Sequence, residues 1–114
     1  MAETGVDDTT AKLITLARAA RARIGAAEGA AVVDEDGRTY ASASVSLPSL
    51  AITALQLAVA SAAAAGAPKL LAAVVVTEAS TLDGAGHAAF RDLGLTAPIH
   101  VVAPSGAVLG TVTD

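Results

Sequence analysis

A continuous apolar run at residues 70–77 places the strongest constraint on the fold of this chain. It reads Leu-Leu-Ala-Ala-Val-Val-Val-Thr and contains no charged residue. This length and valine content are typical of a parallel strand that is buried on both faces. Such a strand needs a layer of other elements on each side of its sheet. The run therefore predicts an α/β protein in which helices flank a central sheet.

The segment that begins near Asp8 predicts one of those helices, running to about Ala27. Asp8, Thr9 or Thr10 is the expected N-cap, because their side-chain oxygens accept from the free amides of a first helical turn. Apolar residues recur at helical spacing and predict a single buried face. That face consists of Leu13, Leu16, Ala17, Ala20 and Ile24.

Residues 29–33 and 38–45 are short runs that predict a β-hairpin. The acidic turn between them, Asp34-Glu35-Asp36-Gly37, ends in glycine, which is a hairpin signal. Three adjacent carboxylates also raise the alternative of paired acid/base chemistry. We predict instead that Asp34, Glu35 and Asp36 form a hairpin tip in water.

A second helix is predicted at residues 50–65. Pro48 cannot continue a strand ladder, so we expect the chain to break there and Ser49 to cap the helix. Gly66 is placed to act as its C-cap. The helix is apolar almost all round, which predicts that it is buried on more than one side.

The uncharged stretch at residues 41–68 is long enough to raise a transmembrane alternative. Pro48, Gln56 and Gly66 interrupt it, and its alanine-rich composition is only weakly apolar, so we predict a buried helix of a soluble protein. The acidic start of the chain lacks the basic and apolar regions of a secretory signal. We therefore expect a cytoplasmic protein without membrane contact.

The remaining segments complete the sheet. Residues 85–93 predict a short helix, and residues 98–102 and 107–112 predict two strands. The order α-β-β-α-β-α-β-β predicts a mixed five-stranded sheet with right-handed crossovers. We find no repeat or linker, so residues 1–114 are predicted to form a single domain, with residues 1–8 as a flexible N-terminus.

Composition excludes several classes of function. The chain has no cysteine, and therefore no disulfide, thiolate metal site or cysteine nucleophile. Two aromatic residues, one Tyr and one Phe, are too few for a platform that stacks nucleic-acid bases. A net charge of −4 argues against a surface that tracks phosphates. Nucleic acid is therefore not an expected partner.

Several short strings of small residues occur in a characteristic order. Gly29-Ala30-Ala31-Val32-Val33 is followed by Asp36-Gly37-Arg38, and later by Leu82-Asp83-Gly84-Ala85-Gly86-His87-Ala88. Together with the order of elements, these strings resemble the cytidine deaminase family, in which the last string reads Pro-Cys-Gly-x-Cys-Arg-Gln. The resemblance extends from about Leu13 to Val112. It implies a three-layer α-β-α sandwich.

The resemblance also implies where a zinc site would lie. In that family, three Cys or His ligands hold a zinc ion that activates water, and a Glu two residues after the first ligand moves the proton. At the family's spacing, counting back from Gly66 places the first ligand at Thr53 and the Glu at Leu55. The other two ligand positions fall on Asp83 and Gly86. A neutral hydroxyl is a poor zinc ligand, glycine offers no side chain and leucine cannot transfer a proton, so we expect no cofactor.

Three functions follow from the resemblance. The preferred one is a non-catalytic cytidine deaminase-like protein that acts as a binding or assembly module. Since family members assemble as dimers or tetramers, a homo-oligomer is implied, with an unidentified protein partner as a further option. The second is nucleoside or nucleotide binding without turnover. There Ser44 and Ser46, at the family's ribose-contacting positions, and Thr53 supply weak polar contacts. The third is an active zinc-dependent cytidine deaminase that converts cytidine to uridine.

Other polar residues offer alternative sites. Asp83, His87 and His100 could in principle bind a divalent ion if the fold brought them together. The amides of residues 84–86 could meet an anion at a helix start, and Ser105 lies in a Pro-Ser-Gly turn. For each of these we predict an ordinary loop, strand or turn role. On the first helix, a solvated surface is predicted for Arg18, Arg21 and Arg23, with an anion site as the alternative.

Overall fold

A computed structural model describes residues 6–114, so residues 1–5 of the predicted flexible N-terminus lie outside the described residues. The helices of the described chain are α1 (Asp8–Ile24), α2 (Ala54–Ala64) and α3 (Gly84–Gly94). The strands are β1 (Gly29–Asp34), β2 (Thr39–Ala43), β3 (Val45–Leu47), β4 (Leu50–Ile52), β5 (Leu70–Val76), β6 (Ile99–Val102) and β7 (Val108–Val112).

Five strands form one sheet in the order β2-β1-β5-β6-β7, and β3 and β4 form a separate two-stranded sheet. β5 pairs in parallel with β6 and antiparallel with β1. The β1–β2 and β6–β7 pairs are antiparallel. The predicted mixed five-stranded sheet is thus confirmed, and its central strand is the apolar run at residues 70–77.

Helices cover both faces of this sheet. On one face, Leu13 and Ala17 of α1 pack in a cluster that includes Val74 of β5. On the other face, residues of α2 and α3 pack with the neighbouring β5 residues, whose side chains point the opposite way. The second cluster includes Leu55, Ala58, Ala62, Ala73, Val75 and Phe90. The three-layer α-β-α sandwich is therefore confirmed.

α1 lies close to the sheet because position 29 carries no side chain. A Cβ at Gly29 would collide with the main-chain oxygen of Ala17 and would lie 2.9 Å from the Cβ of Arg21. The alanine-rich helix can use this close approach to bury small side chains, since interiors of proteins are packed without voids.

The ends of α1 differ slightly from the prediction. Its N-cap is Asp7, one residue before the predicted candidates, and the Asp7 carboxylate accepts from the Thr10 amide at 2.7 Å. The helix ends at Ile24, where Gly25 adopts the left-handed conformation with φ of 63°. The prediction that Ile24 lies in the buried face is wrong, because this last residue of the helix is 64% exposed.

The first hairpin forms as predicted, but one of its carboxylates is buried. Asp34 is only 2% exposed. Its Oδ1 accepts from the amides of Asp36 and Arg38, each at 2.9 Å, and its Oδ2 accepts from the Tyr40 hydroxyl at 2.9 Å. The prediction of a solvent-exposed hairpin tip is therefore wrong for Asp34 and correct for Glu35 and Asp36, which are exposed.

A second hairpin replaces the start of the predicted helix between β2 and α2. β3 and β4 pair antiparallel, with Leu47 opposite Leu50. Pro48 and Ser49 form the turn between them, so the prediction of Ser49 as a helix cap is wrong. α2 begins at Ala54 because Thr53 provides the N-cap instead. Proline followed by serine is equally typical of a turn, and the sequence pattern did not separate the two outcomes.

The uncharged stretch at residues 41–68 therefore contains this hairpin and α2, a helix of 11 residues. Among the described residues, no helix is long and apolar enough to cross a membrane. α3 and the last two strands lie close to their predicted positions.

Candidate functional site

The N-terminal turns of α2 and α3 lie against each other on one face of the sheet. Leu55 in the first turn of α2 is completely buried. A Cβ built at Gly86 in α3 would lie 2.8 Å from the Cβ of Leu55 and 2.6 Å from Oδ1 of Asp83. The fold therefore brings three of the sequence-predicted positions, Leu55, Asp83 and Gly86, into one tightly packed cluster.

Thr53 immediately precedes α2 and caps it. Its hydroxyl oxygen accepts from the Gln56 amide at 3.1 Å, and the Gln56 side-chain oxygen accepts from the Thr53 amide at 3.0 Å. This reciprocal pair is a capping box, which satisfies two amides that have no partner within the helix. One of the two accepting positions of the Thr53 hydroxyl oxygen is thus used within its own helix.

Asp83 performs the same role for α3. Its Oδ1 accepts a short hydrogen bond from the Gly86 amide. Its Oδ2 is buried and, among the described residues, is the one buried side-chain polar atom without a hydrogen-bond partner. The cluster therefore carries one unsatisfied carboxylate oxygen, and a buried polar atom without a partner is energetically costly.

A pocket of about 620 Å³ opens beside the N-terminus of α2, near the carboxyl end of β5. Apolar residues from β3, β4 and the loops line part of it. Its polar lining consists of Arg21, Glu28, Ser44, Thr53, Thr77 and Glu78. Of the predicted polar contacts, Ser44 and Thr53 therefore face the pocket, whereas Ser46 is exposed on β3 and is not among the lining residues.

The polar centre of the pocket is formed by Glu28 and Thr77. Neither residue was predicted from the sequence to belong to a site. The Thr77 hydroxyl donates to Oε2 of Glu28 at 2.8 Å. The Ser44 hydroxyl oxygen accepts from the Glu28 amide at 3.1 Å. The sequence position of Thr77 did indicate a binding role, because this residue ends the central apolar run and ligands bind at the carboxyl ends of such strands. Glu28 had no comparable signal.

Comparison with known proteins agrees with this fold. A family model described as cytidine deaminase-like matches residues 6–106. The chain belongs to the cytidine deaminase-like family. No curated protein matches the sequence.

Solved structures of cytidine deaminases share its fold. The enzyme from Burkholderia pseudomallei is 29% identical, with 90% of each chain covered and a TM-score of 0.79. The enzyme from Mycobacterium leprae is 22% identical over 90% of this chain and 95% of that one, with a TM-score of 0.68. A mutant enzyme from Mycobacterium tuberculosis is 24% identical over 87% and 89%, with a TM-score of 0.66. The two mycobacterial likenesses support the fold alone.

The residues of this cytidine deaminase-like chain do not fit the three-ligand zinc site that the resemblance implies. Thr53 offers a neutral hydroxyl that already accepts a hydrogen bond, and Gly86 has neither a side chain nor room for one. Asp83 alone offers a charged oxygen atom. Within residues 6–114, no group of three His, Cys, Asp or Glu side chains is placed to hold a metal ion.

The alternative metal set of Asp83, His87 and His100 is not assembled either. Nε2 of His87 lies 2.6 Å from the main-chain oxygen of Asp114. Nδ1 of His100 lies 2.9 Å from the Thr111 hydroxyl and faces a separate cavity beside α1. Burial lowers the pKa of His100, and the carboxylate of Asp7 opposes that shift.

The remaining candidates have local partners. The Gly86 amide, which belongs to the alternative anion site, is already bonded to Asp83. The Ser105 hydroxyl oxygen accepts from the amide of Ala107 at 3.3 Å within an exposed turn. Arg21 forms an ion pair with Glu78 at 3.0 Å, whereas Arg18 and Arg23 are exposed.

Proposed function

We propose that this protein is a non-catalytic member of the cytidine deaminase-like family that acts as a binding or assembly module. The observation that carries the proposal is the packing of Gly86 against Leu55, which leaves no space for a side chain where a third zinc ligand would stand. Leu55, at the position that the resemblance assigns to the Glu, is buried, and a hydrocarbon side chain cannot move a proton. Zinc and deamination are therefore proposed to be absent.

Metal analysis and an activity assay on the same preparation test this proposal. After expression in zinc-supplemented medium, we expect far less than about one zinc ion per chain, the content of a three-ligand catalytic site. We also expect no loss of cytidine absorbance above that of a protein-free control. An active cytidine deaminase assayed in parallel shows that the conditions support turnover. Stoichiometric zinc together with conversion of cytidine to uridine would overturn the proposal.

The assembly part of the proposal concerns the β3–β4 hairpin. Leu47 and Leu50 beside its turn are 58% and 51% exposed. The hairpin belongs to the uncharged stretch at residues 41–68, although the chain has a net charge of −4. In a symmetric homodimer each patch meets its own copy, so a charged patch would place like charges together. A neutral, apolar hairpin avoids that cost, which supports a homo-oligomer joined through it.

Sedimentation of a hairpin variant tests this assembly. For the double substitution Leu47→Glu and Leu50→Glu, we expect at least about a tenfold weaker self-association, because two apolar contacts are lost and like charges are brought together. The matched control is Leu109→Glu, since Leu109 is 57% exposed on β7, an edge strand of the five-stranded sheet that does not pair with the hairpin. A wild-type protein that sediments as a monomer at all concentrations would contradict homo-oligomer formation.

The pocket favours a second candidate function, nucleoside or nucleotide binding without turnover. Its volume of about 620 Å³ is within the range of small-molecule sites. Against it, the hydroxyls of Ser44 and Thr53 already have partners within the protein. Calorimetry with a panel of nucleosides separates the two candidates, since heat of binding without turnover would favour the second. For either function, we propose a cytoplasmic location.

A further inference from the structure

Glu28 is held in a fixed position at the edge of the pocket. It lies immediately before β1 and is partly buried. Its Oε2 accepts from the hydroxyl of Thr77, a residue that is only 3% exposed. The same hydroxyl oxygen accepts from the Ala79 amide at 3.0 Å, so the hydroxyl hydrogen remains directed at Glu28. The carboxylate is therefore oriented by a buried partner.

The charge of Glu28 is not balanced within the pocket. Arg21 and Glu78, the other charged lining residues, form an ion pair with each other at 3.0 Å. Glu28 forms no ion pair with any residue between 6 and 114. A carboxylate can accept about four hydrogen bonds. One of these is taken by Thr77, so Glu28 retains accepting capacity for a ligand.

The neutral polar groups of the pocket are mostly occupied. The Ser44 hydroxyl accepts from the Glu28 amide and donates to the Glu28 main-chain oxygen. The Thr53 hydroxyl oxygen accepts from the Gln56 amide. The rest of the lining is largely apolar and includes Val45 and Ile52. The pocket therefore offers few free hydrogen-bonding groups to a ligand with many hydroxyls. Its apolar lining and single unpaired carboxylate are complementary to an apolar ligand that carries one positive charge.

We propose that this pocket binds a small organic cation, a primary amine with a short apolar body, through the carboxylate of Glu28. The ammonium group donates to the free accepting positions of Glu28, and the hydrocarbon chain lies against Val45 and Ile52. The inference rests on the proposed function of a binding module, and it names the class of ligand that the module takes.

A matched pair of ligands tests the role of charge. Hexylamine and 1-hexanol have the same carbon chain and differ in the charged group. In titrations of the full chain followed by amide chemical shifts, we expect hexylamine to cause saturable shifts at Glu28, Thr77 and Ala79. We expect 1-hexanol to bind at least about tenfold more weakly, because a charge-assisted hydrogen bond is lost. Equal binding of the two ligands would overturn the inference.

Matched variants test the role of Glu28 itself. Glu28→Gln keeps the shape and can still accept from Thr77, and we expect it to weaken hexylamine binding at least about tenfold. Glu35→Gln changes the net charge equally at an exposed turn, and we expect wild-type affinity. Undiminished binding by Glu28→Gln would overturn the inference. Amine binding in a protein that also deaminates cytidine would overturn the proposed function alone, whereas no amine binding in an inactive protein would overturn this inference alone.

Discussion

Replacing Gly86 with alanine is expected to destabilise the protein by about 1–3 kcal/mol, the usual cost of adding a methyl group to a fully packed site. The new Cβ would lie 2.8 Å from the Cβ of Leu55 and 2.6 Å from Oδ1 of Asp83. Neither atom is the far end of a flexible side chain, since Asp83 is held by its bond to the Gly86 amide. The two helix N-termini must therefore move apart.

Gly84→Ala is the matched control for this experiment. Gly84 lies in the same turn of α3, but a Cβ built there meets nothing within 4 Å. Alanine favours the helix over glycine by up to about 1 kcal/mol, so this variant is expected to be neutral or slightly more stable. Urea unfolding of both variants measures the difference. Equal stabilities would show that α2 and α3 are not packed as closely as the structure indicates.

Replacing Asp34 with alanine is expected to lower the melting temperature by on the order of 10 °C. The substitution leaves the amides of Asp36 and Arg38 and the hydroxyl of Tyr40 without their acceptor at the turn of the first hairpin. These hydrogen bonds are partly buried, and leaving a shielded donor without its acceptor costs more than the bond itself contributes. Calorimetry measures the shift, and Glu35→Ala in the exposed part of the same turn is the control. A change no larger than that of Glu35→Ala would contradict the structural role of Asp34.

The same carboxylate makes stability depend on pH in a defined direction. Burial by itself would raise the pKa of Asp34, but hydrogen bonds from Arg38, Tyr40 and Asp36 together lower the pKa below its ordinary value of 3.8. A lowered pKa means that the folded state holds the proton less tightly than the unfolded state. The stabilisation is therefore complete above about pH 4 and is lost as the pH falls through the folded pKa. The alanine variant should lose less stability than the wild type over this acidic range.

The sheet could be predicted because its signals are local and redundant. The apolar run at residues 70–77 becomes the central strand β5, buried except at Leu71. The glycine-ended turn at Gly37, with φ of 83°, joins the predicted hairpin. Each feature depends on a few consecutive residues, whose burial pattern or backbone conformation follows directly from side-chain type.

The second hairpin and the polar centre of the pocket could not be predicted in the same way. Leu50 begins a strand rather than a helix because the strand pairs with Leu47 across a turn, and a pairing partner is not visible in local periodicity. Glu28 and Thr77 are 49 positions apart and meet only when β1 pairs with β5. Asp34 looked like an exposed turn residue because its partner Tyr40 comes from the next strand.

The candidate site was located by resemblance rather than by chemistry. Spacing placed Leu55, Asp83 and Gly86 at corresponding positions of a known scaffold, and the fold brings these three residues into contact. Ser46 was selected by the same spacing, but the hairpin carries it out of the pocket. The segment between β2 and α2 forms a pair of strands where the start of a helix was predicted, and Ser46 lies on the first of these strands.

The caps of α2 and α3 have a consequence for how the chain acquires its structure. Each helix is started by a side chain only three positions from the amide it bonds, Thr53 with Gln56 and Asp83 with Gly86. Contacts of such short range can form as soon as the segment leaves the ribosome, because little chain entropy is lost in closing them. Each cap therefore lowers the cost of starting its helix, whereas helices of 11 residues gain most of their stability only when they pack on the strands that they cover.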